Sequence, residues 1–335
     1  MAIDLKTLKK TEVSKNLKGK FVFLYGPPKI GKTTLASQFP SNIILGFEHG
    51  WNALNDVYAV DVPTWSDFKK YVKQLTGDPS LKEQFNTVTI DTISLAYDRC
   101  ESYICDREGV DKIGDVSYGA GYKMVDKEFA QVLNQITLSG LGMVLIGHEK
   151  VRIDTDGQTS VKYITPDLSD RCAKIINRMV DLTAYIGTEK GIRYIYPRQV
   201  VLEEGSQRTE IFAGSHFSEL NNKIDLSYDA LVDAIVVAVS SDSTGKKVKL
   251  VDTPVVAPAP EKLDFNAIRT SIGMIAKKLM AYDEEHESQD GMNGYRKIVA
   301  NYLGKNKLVK ECTEDQVEHL SLILDDLNEF VKDFE

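Results

Sequence analysis

Short apolar runs alternate with longer amphipathic stretches over the first two thirds of the chain. The runs have the length of buried strands, and the stretches between them have helical periodicity. The runs are FVFLY from 21, IILGF from 43, TVTI from 87, MVLIGH from 143 and LTAYIG from 182. Strands that alternate with helices form βαβ units and pair in parallel. The pattern therefore predicts an α/β fold, with a mainly parallel sheet flanked by helices, over residues 19–239.

Segments around this core have a different character. Residues 1–18 read as a polar leader, and residues 240–262 combine small residues, lysines and prolines, which predicts a flexible linker. Gly187 to Arg198 and Val200 to Phe212 have the pattern of antiparallel hairpins, and we expect them at the edge of the sheet.

Helical periodicity returns after the linker, in residues 263–335. Apolar positions at three- and four-residue steps predict a small helical module. Its helices are expected at Phe265–Ala281, Met292–Leu303 and Val317–Val331. Thr313 and Gln316 have the spacing of a capping box ahead of the last helix.

Composition narrows the class of protein. The 335 residues, 42% of them apolar, exceed what one hydrophobic core usually organises, which favours a large domain and a smaller one. The chain lacks any run of eighteen uncharged apolar residues and any apolar signal-peptide centre near its start. We therefore expect a soluble, cytoplasmic protein with no membrane partner. Its four cysteines lack C-x-x-C spacing and neighbouring histidines, so neither a zinc site nor a disulfide framework is indicated.

The net charge of -8 is concentrated at the carboxyl end of the chain. Glu311 to Glu335 holds nine carboxylates and one lysine, so the remainder is balanced. An acidic tail can compete with nucleic acid for a basic channel, but it is also typical of a solvated helix face. Charge alone does not identify a partner.

The strongest chemical signal directly follows the first apolar run. Gly26 and the Gly31-Lys32-Thr33 triplet have the spacing of a phosphate-binding P-loop, whose glycines allow close approach of the backbone to an anion. Lys32 is expected to reach the β- and γ-phosphates, and the Thr33 hydroxyl to hold Mg²⁺. The alternative is an ordinary glycine-rich turn. The residues expected to contact the nucleotide are Gly26, Pro27, Pro28, Lys29, Ile30, Gly31, Lys32, Thr33 and Thr34.

Three further polar residues end apolar runs and are expected at one edge of the sheet. Asp91 follows TVTI and is the candidate second metal ligand, acting through water, although a helix cap is the alternative. Glu48 follows IILGF and could orient and deprotonate an attacking water. His148 follows MVLIG and could sense the γ-phosphate, with simple capping of the strand as the alternative.

The succession GPPKIGKTT, GFEHG, TVTID, IGDVSYGAGYKM and VLIGHEKVR resembles the RecA-type recombinase ATPase core. Within that group it is most similar to phage-encoded single-strand-annealing ATPases of the Sak type. The similarity spans about Lys20 to Ala238 and leaves out the C-terminal module. It implies ATP and Mg²⁺ as cofactors and single-stranded DNA as a partner. It also implies a homo-oligomer, either ring or filament, and a single-stranded-DNA-binding protein as a further candidate partner.

The resemblance also implies roles for single residues. Glu48 falls at the position of the catalytic glutamate, and Asp91 at that of the Walker B aspartate. His148 stands where RecA has a glutamine that couples ATP to its DNA loops. Lys190 resembles a lysine that RecA filaments insert into a neighbour's ATP site, although RecA has two such lysines and Arg193 is an alternative. With Lys32, these residues make up the expected catalytic set.

Two segments correspond to the DNA-binding loops of that family, Asp111 to Tyr122 and Lys150 to Asp167. The aromatic rings in them offer faces on which unpaired bases could stack, and the basic side chains suit a phosphate backbone. The candidate DNA-binding residues are Tyr118, Tyr122, Lys150, Arg152, Lys162 and Tyr163.

The sequence thus favours an ATPase stimulated by single-stranded DNA that promotes annealing or homologous recombination, and that is phage-encoded. Two alternatives remain open. One is a nucleotide-gated scaffold that hydrolyses little and recruits replication or recombination partners through its C-terminal helices. The other is a P-loop enzyme that acts on a small molecule, such as a kinase.

Overall fold

The computed structural model divides the chain into two compact units, one within residues 4–259 and one within residues 260–335. The residues described are 13–14, 17–156, 159–197, 200–203, 206–209, 220–240, 250–251, 263–304 and 307–334. Most of the predicted leader and linker, and the end of the second predicted hairpin, therefore lie outside the described residues. The predicted domain limits stay predictions.

The larger unit alternates strands and helices as its sequence pattern indicates. Its strands are β1 Val13–Ser14, β2 Phe21–Tyr25, β3 Asn42–Gly46, β4 Tyr58–Asp61, β5 Thr87–Asp91, β6 Gly142–Gly147, β7 Glu149–Asp156, β8 Thr159–Pro166, β9 Leu182–Glu189, β10 Ile192–Tyr196, β11 Val200–Glu203, β12 Ser206–Thr209, β13 Ile224–Asp225 and β14 Leu250–Val251. Its helices are α1 Lys32–Ser37, α2 Trp65–Gly77, α3 Pro79–Gln84, α4 Ile93–Glu108, α5 Ala120–Leu138, α6 Asp170–Met179 and α7 Tyr228–Val239. Short 3-10 turns at Ile113–Asp115 and Ser117–Gly119 precede α5.

The main sheet has the strand order β13-β10-β9-β2-β6-β5-β3-β4. Strands β9, β2, β6, β5, β3 and β4 run parallel, and β10 and β13 are antiparallel additions at one side. The predicted α/β class with a mainly parallel sheet is confirmed. The β9–β10 hairpin forms where Gly187 to Arg198 predicted one.

The second predicted hairpin is placed differently from our expectation. β11 and β12 do pair antiparallel, but they belong to a separate four-stranded sheet of order β12-β11-β8-β7 and not to the edge of the main sheet. The segment Lys150 to Asp167, expected to be a DNA-binding loop, supplies most of the β7–β8 hairpin in that sheet. The alternation of Lys150, Val151, Arg152 and Ile153 was the strand signal that this expectation passed over.

Both faces of the main sheet are buried, which explains its continuous apolar runs. Along β2, Phe23 and Tyr25 face one hydrophobic cluster with α2, α4, α5 and α6. Val22 and Leu24 face a second cluster with α1 and α7. The side chains alternate because successive residues of a strand point to opposite faces. Helices therefore pack on both faces of the centre of the sheet, where the P-loop follows β2.

The smaller unit contains helices at the three predicted places. They are α8 Phe265–Glu285, α9 Asp290–Leu303 and α10 Val317–Phe330, so that α8 is longer than expected. Asp283 lies near the end of α8, and its carboxylate accepts hydrogen bonds from the amides of Gly291 and Met292 at 2.9 and 2.8 Å, which fixes the start of α9. The Thr313 and Gln316 capping box is present.

All four cysteines are free and buried. Among the residues that the structure describes, every helix is too short or too polar to cross a membrane.

Candidate nucleotide site

The P-loop joins β2 to α1 and takes a conformation that only glycine accepts at two positions. Gly26 has φ 156°, and a Cβ there would collide with the backbone carbonyl of Ile186 on β9. Gly31 has φ 110° and directly precedes α1. Glycine is the residue that adopts such backbone angles at little cost. The two glycines that defined the motif are thus required by the fold.

Lys32 folds back over the loop that it follows. Its Nζ donates hydrogen bonds to the carbonyl oxygens of Gly26 and Pro27, at 2.9 and 2.7 Å. Burial lowers the pKa of Lys32, and the carboxylates of Asp91 and Glu48 oppose that shift. An ammonium hydrogen-bonded to carbonyl oxygens can exchange them for phosphate oxygens, which carry the opposite charge.

The register of the parallel strands brings the predicted chemistry together. Gly46 on β3 pairs with Asp91 on β5, which pairs with Ile146 on β6, while Tyr25 on β2 pairs with Gly147. These strands therefore end at the same level. Lys32, Glu48, Asp91 and His148 all follow or complete them, and they meet at this edge of the sheet as predicted.

Asp91 is only 3% exposed and is bonded to the P-loop. The hydroxyl Oγ1 of Thr33 donates to Asp91 Oδ2 at 2.8 Å. Burial raises the pKa of Asp91 to about 6, against the effect of the Thr33 hydrogen bond. The helix-cap alternative does not describe this residue, because Asp91 ends β5 and the N-cap position of α4 is Thr92.

Glu48 is held by two groups that follow neighbouring strands. Thr92 Oγ1 donates to Glu48 Oε1 at 3.1 Å, and His148 Nε2 lies 3.2 Å from the same oxygen. The amides of Phe47 and Glu48 donate to the carbonyl of Asp91 at 2.6 and 3.0 Å, which fixes the loop that carries Glu48. Among the described residues, the buried Nδ1 of His148 has no hydrogen-bond partner. The contribution of Thr92 was not predicted, although it directly follows the aspartate.

A cavity of about 510 Å³ adjoins the P-loop on the side of β9, β10 and β13. Its walls come from the exposed side of α1 and from the β9–β10 turn. They include Gly31, Thr34, Gln38, Arg193, Asp225 and Leu226. Arg193 Nη1 lies 3.5 Å from the point that a Cβ on Gly31 would occupy. The guanidinium therefore lies next to the P-loop of its own chain.

Lys190 lies at the tip of the β9–β10 hairpin. It is exposed and has a φ of 51°, which is unusual for a residue with a side chain. It immediately precedes Gly191, which lines the cavity. Its predicted role in a neighbouring subunit stays a prediction.

The candidate DNA-binding tyrosines differ in their surroundings. Tyr118 lies fully exposed in the 3-10 turn before α5, with a φ of 57°. Tyr122 is partly buried, and the guanidinium of Arg171 lies 4.8 Å from its ring centroid. One face of Tyr122 is thus covered by a cation, and Tyr118 is the more exposed of the two rings. Sequence patterns did not indicate the Arg171 contact.

The basic candidates lie on the β7–β8 hairpin and are divided between its two faces. Lys150 pairs with Thr165 and Arg152 pairs with Tyr163, so these residues share one face. Lys162 pairs with Ile153 on the other face. Lys150 Nζ also donates to the carbonyl of Leu168 at 2.6 Å. Lys150, Arg152 and Tyr163 are therefore grouped, and Lys162 is not with them.

Comparison with known proteins gives a family and several similar chains. The family model described as AAA domain, AAA_24, matches residues 18–216, more than half of the chain. The SPbeta prophage-derived uncharacterized protein YorG of Bacillus subtilis (strain 168) is 28% identical over 342 residues, 99% of each chain. A KaiC-like protein from Pyrococcus horikoshii OT3 is 16% identical, with a TM-score of 0.33 over 58% of this chain and 83% of that one. The RadB recombinase is 12% identical, with a TM-score of 0.35 over 64% and 90% of the two chains.

Proposed function

The chain belongs to the AAA domain family, AAA_24, and from that premise we propose that it is a RecA-like ATPase acting on single-stranded DNA. The observation that carries the proposal is the meeting of Lys32, Thr33, Glu48, Asp91 and His148 at one edge of the sheet. A phosphate-binding loop, two oxygen ligands for a metal and a candidate general base are thereby within reach of one triphosphate.

The residues present fit a bound Mg²⁺ ion. Mg²⁺ prefers hard oxygen ligands, and it usually combines one or two protein groups with phosphates and water. The Thr33 hydroxyl and the buried Asp91 carboxylate, 2.8 Å apart, supply such a donor set. When bound, the metal would neutralise charge on the β- and γ-phosphates. The nearby cavity, which Arg193 lines, would take the nucleoside.

In hydrolysis, Lys32 would leave the carbonyls of Gly26 and Pro27 and bind phosphate oxygens. Glu48 would orient the attacking water and accept its proton on a carboxylate oxygen. Thr92 and His148 both contact that carboxylate, so its orientation toward the water depends on both of them.

Coupling to DNA would run through His148. This residue lies between the end of β6 and the start of β7. A change in its contact with Glu48 would therefore displace the base of the β7–β8 hairpin. That hairpin carries Lys150, Arg152 and Tyr163 on one face, a basic and aromatic combination suited to single strands. ATP binding would then alter DNA affinity, and DNA would alter ATP affinity by the same factor.

The similarity to a prophage-derived protein supports a phage origin. We propose an annealing or recombination role of the Sak type, in the bacterial cytoplasm. We further propose assembly into a ring or filament, with Lys190 reaching a neighbouring subunit. A single-stranded-DNA-binding protein is proposed as a further partner.

The deciding experiment is the rate of ATP hydrolysis against added single-stranded DNA at several salt concentrations. We expect stimulation that weakens as salt rises, because phosphate contacts release counterions. Lys32→Ala should abolish hydrolysis, while Lys297→Ala, a lysine of the smaller unit, should leave it unchanged. A hydrolysis rate that does not change when DNA is added at low salt would overturn the DNA role and favour a small-molecule enzyme.

A second candidate function has a specific observation in its favour. Because Glu48 is held by both Thr92 and His148, the free protein could bind ATP and hydrolyse it very slowly, as a nucleotide-gated scaffold would. Tight ATP binding without turnover, in the presence and absence of DNA, would select this function.

A further inference from the structure

The loop that follows β3 folds back over the ends of β3 and β5. Its first two amides, from Phe47 and Glu48, donate to the carbonyl of Asp91. The ring of Trp51 packs directly on Gly46, at a place where a side chain on that glycine would collide with it. The segment between these two anchors is thereby drawn across the candidate metal site.

Gly50, further along this loop, lies against the side chains of both metal ligands. A Cβ on Gly50 would lie 2.7 Å from Asp91 Oδ2 and 3.0 Å from Thr33 Oγ1. Carbon and oxygen atoms that are not bonded do not approach so closely without displacement of one of them. The atoms that a side chain would displace are the same two oxygens that we assign to Mg²⁺.

The backbone conformation does not explain this glycine. The φ of Gly50 lies outside the left-handed region that residues with side chains avoid, unlike that of Gly26 or Gly31. Glycine is therefore required at this position because there is no space for a side chain. Asp91 has a short side chain that is almost fully buried, so it has little room to move aside.

We propose that Gly50 is a positioning residue for the metal. Its missing side chain leaves Asp91 Oδ2 and Thr33 Oγ1 accessible to Mg²⁺ and to the water that the ion carries. The inference rests on the proposed function, since it concerns the metal of the same ATP site. Gly50 lies two residues after Glu48, so one loop serves both the metal and the candidate general base.

The test compares Gly50→Ala with Gly77→Ala. Gly77 ends α2, has no atom within 4 Å of its Cβ position and does not have a left-handed φ, so it is a matched control. Binding of Mn²⁺ to the protein with a non-hydrolysable ATP analogue would be measured by electron paramagnetic resonance. Binding of the analogue alone would be measured in excess EDTA.

We expect Gly50→Ala to weaken Mn²⁺ binding by about 10- to 100-fold, the usual effect of disturbing groups that orient metal ligands. Its metal-free affinity for the analogue should stay within about twofold, below the worth of one hydrogen bond. Gly77→Ala should match the wild type in both. Equal Mn²⁺ affinity in Gly50→Ala and the wild type would overturn the proposal. If the wild type itself does not bind the analogue, that result overturns the proposed function, and with it the proposal for Gly50.

A measurement on the wild type covers the case in which Gly50→Ala does not fold. With ¹⁵N-labelled glycine, the amide signal of Gly50 should be broadened by Mn²⁺ in the nucleotide complex. The signal of Gly77, at the end of α2, should be broadened less. A sharp Gly50 signal beside bound Mn²⁺ would contradict the assignment.

Discussion

His148 Nε2 lies 3.2 and 3.4 Å from the two carboxylate oxygens of Glu48, a residue 100 positions earlier in the chain. The two side chains follow β6 and β3, and the end of β5 lies between them with Thr92 as a further partner of Glu48. The candidate general base is therefore held by a residue that begins the hairpin with the candidate DNA contacts.

Replacement of His148 should separate hydrolysis from its control by DNA. In His148→Ala, we expect basal hydrolysis to persist and DNA stimulation to disappear, because the link from Glu48 to the hairpin is gone. Glu48→Gln should lower both rates by about 100-fold or more, the usual worth of a general base. Steady-state rates with and without DNA measure these effects. Full stimulation of His148→Ala would contradict the coupling role.

The buried carboxylate of Asp91 should make the metal-free protein less stable as pH rises. Burial raises its pKa to about 6 from a usual 3.8, so the folded state keeps a proton that the unfolded chain releases. Stability is then lost between about pH 4 and pH 6, and at about 1.4 kcal/mol per unit between the two pKa values the loss is about 3 kcal/mol.

Asp91→Asn should remove this loss. The variant and the wild type should have similar free energies of unfolding near pH 4, and the variant should be more stable at pH 7. Urea unfolding in EDTA from pH 4 to pH 8 measures the difference, with the exposed Asp106→Asn as control. A difference independent of pH would show that the carboxylate does not titrate as expected.

Arg193 should act on the nucleotide of its own chain. We expect Arg193→Ala to weaken ATP binding about tenfold, the worth of a hydrogen bond to a charged group, and to leave inorganic tripolyphosphate binding unchanged. Calorimetric titration at low protein concentration compares the two ligands. Lys190→Ala is the neighbouring control and should bind both normally. An equal loss for tripolyphosphate would mean that Arg193 contacts phosphates and not the nucleoside.

Tyr118 should contribute to DNA binding without contributing to stability. Its ring is fully exposed, so Tyr118→Ala should leave the melting temperature unchanged. If bases stack on the ring, the variant should lose about 1–3 kcal/mol of affinity for single strands. Tyr118→Phe keeps the aromatic face and should bind as the wild type does. Fluorescence anisotropy with a labelled oligonucleotide measures each affinity, and unchanged binding by Tyr118→Ala would remove Tyr118 from the interface.

The two faces of the β7–β8 hairpin should differ in their response to salt. Arg152→Ala should reduce the slope of log affinity against log salt by about 1, as expected for a lost phosphate contact. Lys162→Ala changes the opposite face and is the matched control. A larger effect from Lys162→Ala would assign DNA to the face with Val151 and Ile153.

Much of the fold and of this site was predictable because the signals are local. Each of these signals depends on a few consecutive residues. They are the P-loop spacing, the apolar runs that end in Asp91, Glu48 and His148, and the Thr313 capping box. Parallel strands whose polar residues follow their carboxyl ends gather those residues at one edge whatever the strand order. The β7–β8 hairpin was also predictable, because polar and apolar residues alternate along β7. We missed it because the family resemblance implied a loop there.

The sequence by itself determined that this chain has a phosphate-binding loop, a parallel α/β core and a helical module after it. Only the tertiary structure decided that Thr92 and His148 share Glu48, that Arg171 covers Tyr122, that Lys162 faces away from Arg152 and that Gly50 borders the metal ligands. The reason is physical. Backbone propensities and motif spacings act over a few residues, whereas these relationships join residues 10 to 100 positions apart, and their geometry exists only after the strands have paired.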